Sequence, residues 1–194
     1  MIREEIILSY IKDKDVLDIG SVGQDMDFFS RELIDSAKGT SAKFYLWDLM
    51  EKNCRSLTGI DINPSGKKNV AHGNMETYSF GRQFDVAVAG DVLEHVDNQG
   101  LFLRNIHRHL KDNGFLIITT PNAKWPTVIQ KPNPTHTLWH DRFTLGEILK
   151  RCGFEIIRLH YYVGNKPHYN LLLRILGRRQ VLLVVCRKIP PTNS

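Results

Sequence analysis

The chain has 194 residues, a length that fits one domain with a single core, since domains run to roughly 100–200 residues. Hydrophobic residues make up 42% and charged residues 24%, close to ordinary globular usage, which excludes collagen-like, disordered and extended coiled-coil readings. The net charge of +5 is unevenly spread: residues 142–194 hold ten Lys/Arg against Glu147 and Glu155, a balance of +8, and the remainder carries −3.

That basic end reads first as a solvated face and alternatively as a surface for phosphate, an anionic substrate or a membrane. The longest apolar run, Val181 to Cys186, is far short of the roughly 20 residues that span a bilayer, so no transmembrane segment is expected. Met1 to Glu5 carries two acids and leads into no apolar signal core, which makes the cytoplasm the expected location. Cys54, Cys152 and Cys186 are widely separated, suggesting buried thiols rather than a disulfide framework or a zinc site.

Taken in chain order, Ile2, Ile6, Ile7 and Tyr10 share one helical face. Asp15 to Ile19 reads as a short buried strand running into the glycine loop Gly20-Ser21-Val22-Gly23. Lys43 to Cys54 looks helical, and Ser56 to Ile60 is a second strand ending at Asp61, before the breaker Asn63-Pro64-Ser65-Gly66. A weak third strand lies near Asn69 to Ala71, and Phe84 to Ala89 forms a fourth whose continuous apolar end suggests burial on both faces. Leu101, Phe102, Ile106 and Leu110 mark a helix over 98–111 that Asp112-Asn113-Gly114 stops, followed by a fifth strand from Phe115 to Thr119. Thr144 and Glu147 form a Thr-x-x-Glu capping box, predicting a helix from Leu145 to Cys152. The last strands are Phe154 to His160 and Val181 to Arg187, joined by a crossover containing Leu171, Leu172, Leu173 and Ile175. Alternation of strands and helices predicts an α/β fold with a mostly parallel sheet covered on both faces.

In such sheets ligands bind outside the carboxyl ends of the strands, where strand order reverses. The predicted strands present Asp18 and the glycine loop, Asp61, Gly90-Asp91, and Thr119-Thr120-Pro121-Asn122 at that end. Small residues admit a ligand to the backbone, and carboxylates suit hydroxyl or ammonium donors better than phosphate. A nicotinamide dinucleotide site would show Gly-x-Gly-x-x-Gly with an acid about 20 residues later; here only Gly20-x-x-Gly23 occurs, and Asp61 lies 41 positions beyond Gly20.

These segments resemble class I S-adenosylmethionine-dependent methyltransferases. Val16 to Gly23 is similar to the family's first motif, and Gly59-Ile60-Asp61-Ile62 to its ribose-binding strand end. Phe84-Asp85-Val86, Gly90 to Val96, Leu110 to Leu116, Thr119 to Asn122, His140 to Thr144 and Cys152-Gly153-Phe154 continue the resemblance in order. Leu93-Glu94-His95-Val96 and Thr119 to Asn122 are most similar to the branch holding quinone-biosynthesis O-methyltransferases and glycan-modifying relatives.

The resemblance implies a Rossmann-like sandwich, one domain over residues 1–194, a seven-stranded mostly parallel sheet with an antiparallel last strand, and S-adenosyl-L-methionine as cofactor. It places Gly20, Ser21 and Gly23 at the methionine end, with Asp18 shaping the loop or receiving the amino group. Asp61 is to accept both ribose hydroxyls, Ile62 and Met75 to flank the adenine, Asn74 to meet its amino group, and Gly90 and Asp91 to border the donated methyl.

A base is needed only if the acceptor has a proton to lose. His95, just after the fourth strand, and His140, in a proline-containing loop with His136 and Trp139, are the catalytic candidates. Asp91, Glu94 and His95 are suitable metal ligands by type, but on one helical turn all three cannot readily face one ion, so no metal ligand is assigned. The expected function is methyl transfer to a small-molecule or glycan-linked acceptor at oxygen, with acceptor contacts from loops around residues 24–42 and 122–142. RNA or protein methylation using the basic end, and a cofactor- or partner-binding module without chemistry, are the alternatives.

Overall fold

A computed structural model describes residues 3–22, 42–125, 133–162 and 181–190. Its sheet has seven strands, β1 (Asp15–Ile19), β2 (Ser56–Asp61), β3 (Val70–His72), β4 (Phe84–Gly90), β5 (Leu110–Pro121), β6 (Phe154–Tyr162) and β7 (Val181–Lys188). They lie in the order β3-β2-β1-β4-β5-β7-β6. The pairs from β3 to β5 are parallel, and β7 runs antiparallel between β5 and β6. The expected fold class is therefore the observed one.

Alternation along the central strands explains the two layers. Val16, Val86, Val88 and Ile117 turn to one face and pack with Ile6, Ile7 and Ile11 of α1 (Arg3–Ile11) and with Leu46, Trp47 and Met50 of α2 (Ala42–Glu51). Leu17, Ile19, Ala87, Ala89, Leu116 and Ile118 turn to the other. There they meet Phe102, Leu103 and Ile106 of α3 (Gln99–His109) and Leu145 and Leu149 of α4 (Arg142–Arg151). Period-2 alternation with both sets apolar is what a sheet covered on both faces requires.

Two departures from the sequence reading have a physical reason in the structure. Helix α4 begins three positions early, capped by Asp141 and not by Thr144: the Asp141 carboxylate accepts from Phe143 N and Thr144 N, and Thr144 Oγ1 accepts from Asp141 N. A carboxylate can satisfy two of the unpaired N–H groups and favours the positive end of the helix dipole, so it outcompetes the hydroxyl as cap. The stretch Asp112-Asn113-Gly114 is no terminator outside the sheet; it is an irregularity within β5, where Leu110 pairs with Phe84 before the register resumes at Phe115 opposite Val86. Asn113 takes the left-handed conformation there, at φ +59°, which Asn tolerates. The β6–β7 crossover residues Leu171 to Ile175 lie outside the described residues.

The amino ends of β1 and β4 are tied by charge. Arg55 bonds the Asp15 carboxylate and Asp85, while Lys111 Nζ lies 2.9 Å from Asp85 Oδ1 and 3.2 Å from Asp15 Oδ2. The Arg55 hydrogen bond is the main reason the Asp15 carboxyl is held well below the usual carboxylate range.

At the carboxyl end, β2 must come close to the loop after β1, and Gly59 permits it. A Cβ there would collide with Ser21 Oγ and lie 2.8 Å from both Trp47 Cζ3 and Val70 Cγ2. Gly59→Ala is expected to lower stability by about 1–3 kcal/mol through overpacking, read as a lower urea midpoint at unchanged slope; an unchanged midpoint would show that Trp47 and Ser21 have room to yield.

Candidate functional site

Strand order reverses between β1 and β4, and the carboxyl ends there are held open by specific bonds. Gly20 follows β1 in the left-handed conformation, φ +78°, and donates its N–H to Ile60 O at 2.8 Å. Glycine adopts that conformation without a Cβ penalty. Ser21 Oγ donates to Asp18 O at 2.8 Å. The Asp61 carboxylate, 6% exposed, accepts from Val22 N and from Asn63 N, each at 2.8 Å. One carboxylate thus anchors the glycine loop and the turn after β2, and each oxygen retains capacity for a further donor.

Two cavities open at this edge and share Ile19 and Gly20. The larger, about 140 Å³, has Asp61, Ile62, Asn74 and Met75 on one side and Val92 and His95 on the other. The smaller, about 20 Å³, is bordered by Asp18, Gly20, Ser21, Gly90, Trp47 and Arg3. A wider hollow of about 610 Å³ lies along the amino half of β2 and β3, and none of the expected site residues borders it.

The expected cofactor residues are therefore gathered at one edge, with Gly23 lying outside the described residues. Ile62 borders the larger cavity as an apolar side chain 65% exposed. Met75 is buried, whereas Asn74 is exposed and its Oδ1 accepts from Glu76 N at 2.8 Å. Asp91 has φ +53°; its N–H is received by Thr119 O at 3.0 Å, and Thr119 Oγ1 donates to Asp91 Oδ1 at 3.1 Å.

The two catalytic candidates part company. His95, in the 3-10 turn Leu93–His95, borders the larger cavity. Its Nδ1 lies 3.1 Å from Thr135 O and 3.0 Å from Thr135 Oγ1, whose own hydrogen goes to Asn133 Oδ1. Both neighbours of Nδ1 are thus acceptors, which puts the ring proton on Nδ1 and the lone pair on Nε2. His140 borders neither cavity. It is 6% exposed, with Nε2 2.7 Å from Gln99 Oε1, and Gln99 Nε2 in turn donates to Leu93 O. That chain of bonds makes His140 a support for the turn that carries His95.

A metal-ligating set differs from the one weighed in the sequence. Glu94, His95 and His136 bring one ligand atom each within 4.8 Å of one another, while Asp91 turns toward Arg3, whose Nη1 is 3.6 Å from Asp91 Oδ2. Two imidazoles and a carboxylate are donors suited to a divalent transition metal. Glu94 is 2% exposed and accepts from Thr120 Oγ1 at 3.0 Å, and the His95 and His136 rings meet edge to face at 4.6 Å. Sequence spacing carries no sign of this convergence, since His136 is brought in by a distant loop; Arg3 likewise sits in no recognisable motif.

Residues 6–159 match the family of methyltransferase domains. The chain belongs to that family, and its fold is that of the S-adenosylmethionine-dependent methyltransferases. A ubiquinone biosynthesis O-methyltransferase of Rickettsia canadensis is 31% identical over 75 residues, covering 39% of this chain and 32% of that protein. A probable S-adenosylmethionine-dependent methyltransferase of Mycolicibacterium smegmatis is 26% identical over 138 residues, 65% of this chain and 52% of that one. The matches thus span about a third to a half of these relatives. Among solved structures, a SAM-dependent methyltransferase from Archaeoglobus fulgidus superposes with TM-score 0.67 at 18% identity, covering 95% of this chain and 94% of that chain. N-methyltransferase NodS from Bradyrhizobium japonicum gives TM-score 0.63 at 16% identity, over 97% and 95%. These two share the fold. No helix among the described residues is long and apolar enough to cross a membrane.

Burial pushes the His140 imidazole below its ordinary 6.5, so the folded chain keeps it neutral where the unfolded chain takes up a proton. Its contribution to stability is present above that ordinary value and is lost as the pH falls below it. His107 and His136 are lowered for the same reason. The thermal midpoint is expected to drop between about pH 7 and about pH 5, and His140→Gln, whose amide can still donate to Gln99, to make that drop shallower; an equally steep drop would remove His140 from the linkage.

Proposed function

We propose that the chain methylates a hydroxyl of a small-molecule or glycan-linked acceptor, with S-adenosylmethionine as donor and His95 as base. The observation that carries the reading is the meeting of Asp61, the Gly20 turn and the His95 ring at one cavity edge. The residues suit the donor. Asp61 offers two buried oxygens to a ribose diol, Ile62 and Met75 offer apolar surface to an adenine, Asn74 lies beside them, and Asp18, Gly20, Ser21 and Gly90 border the neighbouring recess, with Asp91 paired to Arg3 next to it. The cofactor supplies a methyl group on a sulfonium, whose displacement is driven largely by alignment.

What the chain adds is orientation and a place for the proton. With the donor bound and an acceptor hydroxyl beside it, His95 Nε2 would take up the proton that the hydroxyl loses on transfer. The Nδ1 hydrogen bonds to Thr135 hold the ring in that tautomer. Oxygen as the methylated atom also agrees with the names of the Rickettsia relatives.

Calorimetric titration with S-adenosylhomocysteine tests the donor half. Micromolar binding by the parent is expected to weaken at least about tenfold in Asp61→Ala, a loss of about 1.4 kcal/mol; a folded parent that binds none would overturn it. For the base, His95→Gln is expected to lower kcat by about 10²–10⁴ on a hydroxylated acceptor while S-adenosylhomocysteine affinity holds. Equal turnover by this variant across a panel of phenols and glycosides would remove His95 from the chemistry.

A further inference from the structure

The two edges of the sheet are built differently. β3, at one end, has three residues, and a very short strand is one way in which sheets blunt an edge. β6, at the other end, has nine, Phe154 to Tyr162, about 30 Å of strand. Its outer side pairs with no strand among the described residues. It holds neither Lys nor Pro, the common guards of such an edge. Glu155, Ile156, Ile157 and Arg158 form a continuous exposed run within it, the two isoleucines 36% and 39% exposed.

Register with β7 fixes how this run is arranged. Glu155 stands opposite Arg187 and Arg158 opposite Val185, two positions apart on β7, so Glu155 and Arg158 share one face of the sheet. Ile156, opposite Cys186, turns to the other face, and Ile157 is the extra residue of a bulge. Glu155 pairs with Arg187 at 2.6 Å, whereas Arg158 has no ion-pair partner among the described residues.

We propose that two copies of the chain pair through β6, antiparallel, about a two-fold axis midway between Ile156 and Ile157. Glu155 of each copy then faces Arg158 of the other, and the exposed isoleucines meet across the axis. Opposite charges set across an antiparallel ladder stabilise it, and like charges in those places oppose it. The Glu-Ile-Ile-Arg run is self-complementary in this direction; a parallel copy in register would set Glu155 on Glu155 and Arg158 on Arg158. Both bulges fall at the axis, so neither irregularity is set against a regular ladder. The contact is isologous: it uses both β6 edges, leaves the short β3 edges outside, and stops at two chains.

Sedimentation velocity of the full chain across the micromolar range tests this. The parent is expected to move from one to two chains per particle as concentration rises, and no further. Glu155→Arg and Arg158→Glu each bring like charges together at two symmetry-related places, and each is expected to raise the dissociation constant about tenfold or more. Mixed in equal amounts, the two variants are expected to pair with each other as the parent pairs with itself, since one edge then carries two basic side chains and the other two acidic ones. That recovery separates a lost contact from a lost fold, because Glu155→Arg also gives up the ion pair to Arg187. The inference falls if the parent stays a single chain throughout, if both single variants dimerise as the parent does, or if the mixture recovers nothing. Growth of the parent past two chains also overturns it, because an isologous edge cannot continue.

Discussion

The buried Asp61 carboxylate is the constraint on which the site's geometry rests. With one oxygen it receives Val22 N–H and with the other Asn63 N–H, so the loops leaving β1 and β2 are fixed to the same side chain. Gly20 and Ser21 donate to Ile60 O on the same strand, and Gly59 keeps the two chains close enough for this to happen. A buried acceptor with its donors aimed at it costs little; the same carboxylate without them would be expensive in that environment. Preorganisation therefore precedes any ligand: the loop is already curved around the place where hydroxyl donors are expected.

Much of this was legible in the sequence because the signals were local. Asp15 to Ile19, Ser56 to Asp61 and Phe84 to Gly90 announce themselves as apolar runs ending in small or acidic residues, and strand ends at a reversal of sheet order are where a ligand edge forms. The Asp61 position follows from that rule alone. The start of α4 is not fixed by local pattern because two caps compete within three residues, and a hydroxyl with a Glu three positions on looks as good on paper as a carboxylate with a Thr. Asp112-Asn113-Gly114 has the composition of a stop, yet pairing of Leu110 with Phe84 draws the strand back past it, an effect of the neighbouring strand that no local window contains.

The histidines illustrate what a linear reading omits. His95 and His140 both lie after strands and near the ligand edge, and their chemistry is identical on paper. Depth separates them: His140 is enclosed and its Nε2 is engaged by Gln99, whereas His95 borders the cavity with its tautomer set by Thr135. His136 is held beside His95 and Glu94 by its loop neighbours: Thr137 N donates to Glu94 O at 2.7 Å, and Thr135 meets the His95 ring. Such backbone contacts between distant segments, unlike side-chain periodicity, leave no mark in composition or spacing.

The place of β7 has a consequence for how the molecule is made. Because Val181–Lys188 inserts between β5 and β6, those two strands, consecutive in the chain, are not neighbours in the sheet. During synthesis the outer edge of β5, with Phe115, Leu116, Ile117 and Ile118, waits for a partner until some sixty residues later in the chain have emerged. The parallel half can pair earlier, while closure of the sheet is a late, non-local event that pays the loop entropy of a long connection. An unpaired apolar edge in that interval is a surface onto which other nascent chains can add a strand, so the risk of misassembly is concentrated on the side of the sheet away from β1 and β2.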